Sequence, residues 1–165
     1  MKNKYSWLLL AGLLTCMVDN SCKKEGQSAI PALFTDGRWE LASVRQTTFT
    51  GNTIVTDTTF NPICDSAQYF TFNSDGTCTY NKFDCVSQPL AKGQWSLTAN
   101  QLFLQSNIVC KDSTAAGSSQ PFANAEIFNL GHFSLVLITG DIAPNYSLTA
   151  KRAQTQYGFI RQKSQ

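Results

Sequence analysis

From residue 36 onward, apolar residues recur at every second position. β-branched and aromatic side chains are abundant, and short turn sequences interrupt the pattern at regular intervals. Period two puts successive side chains on opposite faces of a strand, so one face of each strand is apolar and the other wet. No window of 12 or more residues repeats at the helical period. The expectation is an all-β fold.

The turns divide this pattern into pairs of strands. A first strand over 38–49 alternates through Trp39 and Leu41 to the turn pair Gly51-Asn52, and 53–60 returns. Residues 68–72 and 77–80 flank Asn73-Ser74-Asp75-Gly76, where Gly76 supplies the positive φ of a type I turn closed by a bulge. Segments 91–97 and 102–110 flank Thr98-Ala99-Asn100-Gln101, and residues 111–121 read as a surface loop. Strands over 127–130 and 133–138 meet across Gly131-His132, with glycine first, as a type II′ turn prefers. Segments 146–152 and 157–161 would close the sheet as one or two strands.

Side-chain pairing then favours a barrel. Setting Asn73 opposite Thr77 pairs Phe72 with Cys78 and Phe70 with Tyr80. Setting Leu97 opposite Leu102 pairs Trp95 with Leu104, and setting Leu130 opposite Phe133 pairs Phe128 with Leu135. Each hairpin has one apolar and one wet face. The expected fold is an antiparallel up-and-down β-barrel of about 8–10 strands, and with about eight strands the interior just holds side chains or one small ligand.

The N-terminus carries an address. Lys2 and Lys4 precede the apolar run Trp7 to Leu14, and Ser21-Cys22 opens the polar stretch Lys23 to Ser28. A positive head, a short apolar segment and a small residue at the cut describe a secretory signal. The run falls short of the roughly 20 residues a membrane span needs. A cysteine at the cut resembles the bacterial lipoprotein signal, which implies acylation of that thiol. Cys16 competes, having Leu13 at the expected aliphatic position. Cys22 has the favoured serine before it and the polar stretch after it, and it leaves four cysteines in the mature chain. The expected organisation is a signal over 1–21, a flexible tether over 22–35 from acylated Cys22, and a barrel domain over 36–165.

Gly37-Arg38-Trp39-Glu40-Leu41 resembles the Gly-x-Trp signature of lipocalins. That resemblance implies that Trp39, following Gly37, plugs the barrel floor beneath an arginine from the C-terminal strand, Arg161 or Arg152. The ordered series of this motif, Cys64, 70–77, Cys85, Gly93-Gln94-Trp95-Ser96-Leu97 and Leu102-Phe103-Leu104 is similar to the lipocalin-like domain of bacterial envelope lipoproteins, over roughly residues 36–150. It implies a lipid-anchored barrel at the bacterial envelope, most simply the outer membrane.

Cysteine placement follows the hairpin register. Cys64 falls almost opposite Cys85, while Cys78 lies near the turn at the far end, so Cys64–Cys85 is the expected disulfide and Cys85–Cys110 its competitor. The resembling family places cysteines similarly. No Cys-x-x-Cys spacing is present and His132 is the single histidine, so neither a metal nor a cofactor is expected.

The mature chain carries 11 basic and 10 acidic side chains, a net charge of +1, with no basic stripe for nucleic acid. No Gly-x-Ser-x-Gly elbow supports His132, which sits on a turn, and no carboxylate pair stands out among Asp57, Asp65, Asp75, Asp84, Asp112 and Asp141. The chain is therefore expected not to be an enzyme. The leading expectation is a lipid-anchored barrel holding a small apolar ligand against Phe70, Phe72, Tyr80, Trp95, Leu104, Phe128 and Phe133. The alternative is a filled barrel that grips a protein or glycan partner, or inhibits a protease, through loops 52–66 and 111–124.

Overall fold

The computed structural model describes residues 25–60 and 64–162. One long strand, β1 (Arg38–Thr50), organises the sheet. Along one edge it pairs antiparallel with β11 (Lys151–Gln162), from Arg38↔Gln162 to Thr50↔Lys151. Its other edge is shared by two shorter strands. β2 (Thr53–Phe60) takes the far half through Val44↔Phe60 to Thr50↔Thr53, and β3 (Tyr69–Phe72) takes the near half through Arg38↔Thr71 to Glu40↔Tyr69. Leu41 N donates to Gln68 O between them. β2 and β3 are thus two pieces of one barrel position, separated by an excursion that carries Cys64.

The sheet continues through β4 (Thr77–Asn81), β5 (Ala91–Leu97), β6 (Phe103–Ser106), β9 (Ala125–Leu130) and β10 (Ser134–Gly140) to β11, which closes on β1. The result is a closed, eight-stranded antiparallel barrel of lipocalin-like architecture. Between β6 and β9 lies a two-stranded ribbon of β7 (Cys110–Lys111) and β8 (Ser118–Ser119). A 3₁₀ turn, Phe83–Cys85, follows β4.

The alternation sorts side chains as expected over most of the barrel. Trp39, Leu41, Phe70, Phe72, Cys78, Tyr80, Leu104, Leu135, Leu137 and Phe159 are buried. The β3–β4 hairpin has the expected register, Phe72↔Cys78 and Phe70↔Tyr80. Two registers differ. Trp95 pairs with Ser106 and Leu97 with Leu104, a shift of two residues that preserves every face. Leu130 pairs with Leu135 rather than Phe133, making a four-residue turn in which Gly131 N donates to Ser134 O. An irregularity opposite Val136/Leu137 then turns Phe128 out of the barrel.

Residues 25–35, expected as flexible tether, form helix α1 (Glu25–Thr35). Ile30 and Phe34 recur at helical spacing, one turn apart, and the apolar face they make rests on the barrel base. Phe34 enters the floor, fully buried, with its ring 5.0 Å from Phe72 and 5.5 Å from Trp95. Its carbonyl accepts from Trp39 Nε1 at 3.0 Å. The loop expected on the surface also folds inward at its end: Phe122 is fully buried, 4.8 Å from Phe70 and 5.1 Å from Tyr157. The expected signal over 1–21 and Cys22 lie outside the described residues.

Candidate functional site

The barrel is unevenly filled. Its lower half holds the aromatic cluster just described, and toward the mouth the filling gives way to a half-enclosed cavity of about 440 Å³. Leu41, Val44, Phe60, Phe83, Pro121 and Tyr157 form its apolar wall, and Gln46, Gln68, Asp84, Asp112, Thr114 and Ser119 supply polar groups. Several strand residues reach it through the register. Val44 lies between Phe60 on β2 and Tyr157 on β11, which puts all three on the inner face, and Gln46 follows two residues later.

Two loops cover this region. The Cys64–Cys85 disulfide ties the β2–β3 excursion to the 3₁₀ turn, so the expected pairing is the observed one. Gln68, almost completely buried, donates from Nε2 to Cys64 Sγ at 3.2 Å and accepts from the Tyr80 hydroxyl at 3.5 Å. The turn itself is strained: Lys82, Asp84 and Cys85 have φ of 53°, 53° and 60°, a left-handed region that costs a non-glycine residue about 1–3 kcal/mol. Burial of Phe83, the disulfide, and donation from Ser113 N to Asp84 Oδ2 at 2.8 Å hold it there. That last bond also joins the turn to the second cover, the β7–β8 ribbon.

Electrostatically the mouth combines neutral donors with fixed carboxylates. Burial, with Asp84 adding to it, pushes the Tyr157 hydroxyl up to about 12, so it is a neutral donor at physiological pH. Burial pushes Tyr80 well above its ordinary value. Asp112 is held below the usual carboxylate range by the hydroxyls of Ser119 and Thr114. The arrangement suits an elongated apolar body with a polar end lodged near the rim.

The residues expected to face a ligand are distributed otherwise. Phe70, Phe72, Tyr80 and Leu104 are packed into the filled lower barrel, because α1 and Phe122 occupy the space that the strands alone leave open. Phe128 and Phe133 are exposed outside it. Trp95 borders a polar cleft on the barrel wall with Gln94, Ser96 and Gln105, its Nε1 donating to Asn73 O at 3.0 Å. None of the seven lines the mouth cavity. Of its lining, the sequence singles out Leu41 in the Gly-x-Trp signature, Cys85 in the disulfide and Asp84 and Asp112 among the carboxylates, none of them as a ligand contact. Phe60, Thr114, Ser119 and Pro121 lie in the two loops expected to grip a partner. Tyr157 continues the period-two pattern of Phe159 and was reachable from it, whereas Val44 faces inward only because a bulge between Leu41 and Ser43 shifts the phase set by Trp39, and Phe83 and Pro121 sit in loops with no periodic signal.

The floor has the arrangement the resemblance implies. Arg161 lies 4.5 Å over the Trp39 ring, pairs with Asp36 at 2.5 Å and donates to Leu33 O. Gly37 has φ +105°, and a Cβ there would stand 2.9 Å from Gln162 O, so this position takes glycine. Arg152 belongs to the other end, between the rings of Phe49 and Tyr146. Cys78 and Cys110 are free and buried, and His132 is exposed on its turn. Among the described residues, no three His, Cys, Asp or Glu side chains gather as metal ligands. No protein-family model, curated protein or solved structure matches this chain.

Proposed function

We propose that this chain is an envelope lipoprotein, anchored by acylated Cys22, whose barrel holds a small, largely apolar ligand with a polar end. The observation that carries the reading is the mouth cavity, apolar on its strand wall and polar at its rim, beneath a strained turn tied down by a disulfide. The ligand lies above the aromatic core rather than within it, along Leu41, Val44, Phe60 and Tyr157. Its polar end meets the Tyr157 hydroxyl and the Gln46 and Gln68 amides.

Displacement of a fluorescent fatty-acid probe tests this. Val44→Trp fills the cavity and is expected to weaken probe binding about tenfold or more, about 1.4 kcal/mol. The Cys64–Cys85 bond and the near-ultraviolet dichroism should be retained. Equal affinity in both proteins counts against the mouth as the site, and absence of probe binding in the parent counts against ligand carriage.

A second reading, a partner-binding module, is favoured by β2. All eight of its residues are exposed and its outer edge is unpaired, with no lysine or proline to blunt it. A partner strand could extend the sheet there. Replacing Thr59, opposite Arg45 in the alternate register position, by proline removes an outward N–H, and would abolish such pairing and leave probe binding intact.

A further inference from the structure

One group of exposed apolar side chains sits where the chain emerges. Phe133 is 70% exposed, Phe128 65%, Leu102 56% and Ile160 45%. Leu102 and Phe133 immediately precede β6 and β10, and Phe128 and Ile160 lie toward the lower ends of β9 and β11; the four strands are neighbours in the sheet. Arg161 N donates to Phe133 O, placing the β9–β10 turn level with the Trp39–Arg161 floor. Turn and strand-end positions of this kind need no phenylalanine for folding, and side chains so exposed add nothing to the core. Clustered exposed apolar groups mark contact surfaces.

The path of the chain identifies the contact. α1 runs across this same end, with Ile30 against the core and Phe34 in the floor. Only Lys23 and Lys24 separate Glu25 from Cys22. Three Cα steps reach at most about 11 Å, and α1 adds about 16 Å, so acyl chains on Cys22 keep the base close to the bilayer. The mouth and Leu148, on the β10–β11 loop, lie at the opposite end.

We infer that the barrel base rests on the bilayer interface, with Phe133 and Phe128 inserted among the headgroups and Leu102 and Ile160 beside them. This inference rests on the reading of Cys22 as the acylated residue. Three chains on one residue fix the protein to the membrane without fixing its orientation; a second, apolar contact at the base does so, and it directs the mouth away from the surface.

The mature acylated protein is tested in phosphatidylethanolamine–phosphatidylglycerol vesicles whose acyl chains carry bromine, which quenches indole emission at short range. Phe133→Trp and Phe128→Trp report from the base and Leu148→Trp from the far end, each read as emission added to that of the parent. Retention of the Cys64–Cys85 bond and the parent's dichroism checks the fold of each. The two base reporters are expected to shift blue and lose about half their added emission, as for side chains seated about 5–10 Å into the interface, while the Leu148→Trp reporter is unchanged. Base reporters that stay unquenched, or quenching at Leu148→Trp in their place, overturn the inference and leave the anchor standing. An intact mass without acyl chains on Cys22 overturns both.

Discussion

Arg161 shows how one side chain can join three elements. Its guanidinium covers Trp39 on β1, its Nη2 reaches the Leu33 carbonyl at the end of α1, and its Nη1 pairs with Asp36 on the connection between them. Asp36 is largely exposed, so that ion pair alone is worth little. The stacking and the bond to a helix carbonyl, both away from water, carry the contribution. Arg161→Ala is expected to lower stability by about 2–3 kcal/mol in urea unfolding, and Arg161→Lys by more than half of that, because a lysine cannot stack and reach Leu33 O together. Equal stability of Arg161→Lys and the parent would show that charge alone matters. This corner was legible in the sequence because Gly37-Arg38-Trp39 resembles the lipocalin signature, which implies an arginine from the C-terminal strand over the Trp39 ring. Phe122 was not, because it stands between Pro121 and Ala123 with no periodic partner, and Phe34 was not, because its helical spacing to Ile30 covers a single turn of a stretch expected as tether.

At the scale of elements, the sequence located almost every strand but not every pairing. Turns with an unambiguous glycine, such as Asn73–Gly76, set their register correctly. Gly131-His132 suggested a two-residue turn, yet the chain makes four, because pairing Leu130 with Leu135 keeps both inside. That exchange exposes Phe133 at the turn and, with the irregularity behind it, Phe128. The candidate site moved for a related reason: an alternating strand shows which face is inward, not whether a helix or loop from elsewhere fills it. The element that best distinguishes mouth from core is the Cys64–Cys85 clasp. By the chain-entropy account, a loop of this size contributes about 3 kcal/mol, and its loss would free the three left-handed residues of the turn to relax. Replacing both cysteines by serine should lower the urea-unfolding stability by about that amount and, on the proposed reading, weaken binding of the fluorescent fatty-acid probe beyond it, since the unclasped turn no longer holds Phe83 against the cavity. Unchanged binding in a destabilised but folded double variant would assign the clasp to stability alone.

At the scale of the molecule, the interior is a store of groups that must stay protonated. Burial pushes Cys110 from 9.0 up to about 12, with Cys78 and Asp112 adding to it. Tyr157 rises from 10.0 to about 12, and Cys78 and Tyr80 are raised for the same first reason, burial. A folded-state value above the unfolded one means that the folded chain keeps a proton the unfolded chain gives up. The stabilising contribution is then complete below the unfolded value and is lost as pH climbs through the folded one. For Cys110 that window runs from 9.0 to about 12, and for Tyr157 from 10.0 to about 12. Within it each group removes at most about 1.4 kcal/mol per pH unit. Urea midpoints should therefore hold level up to about pH 9 and fall steeply above it. Tyr157→Phe, which keeps the ring and removes the titrating oxygen, should flatten the fall above pH 10, and Cys110→Ser the part that begins earlier. A midpoint that stays level to pH 11 in the parent, or falls equally in both variants, would mean that these groups are hydrated in solution and that the barrel opens more readily than its packing implies.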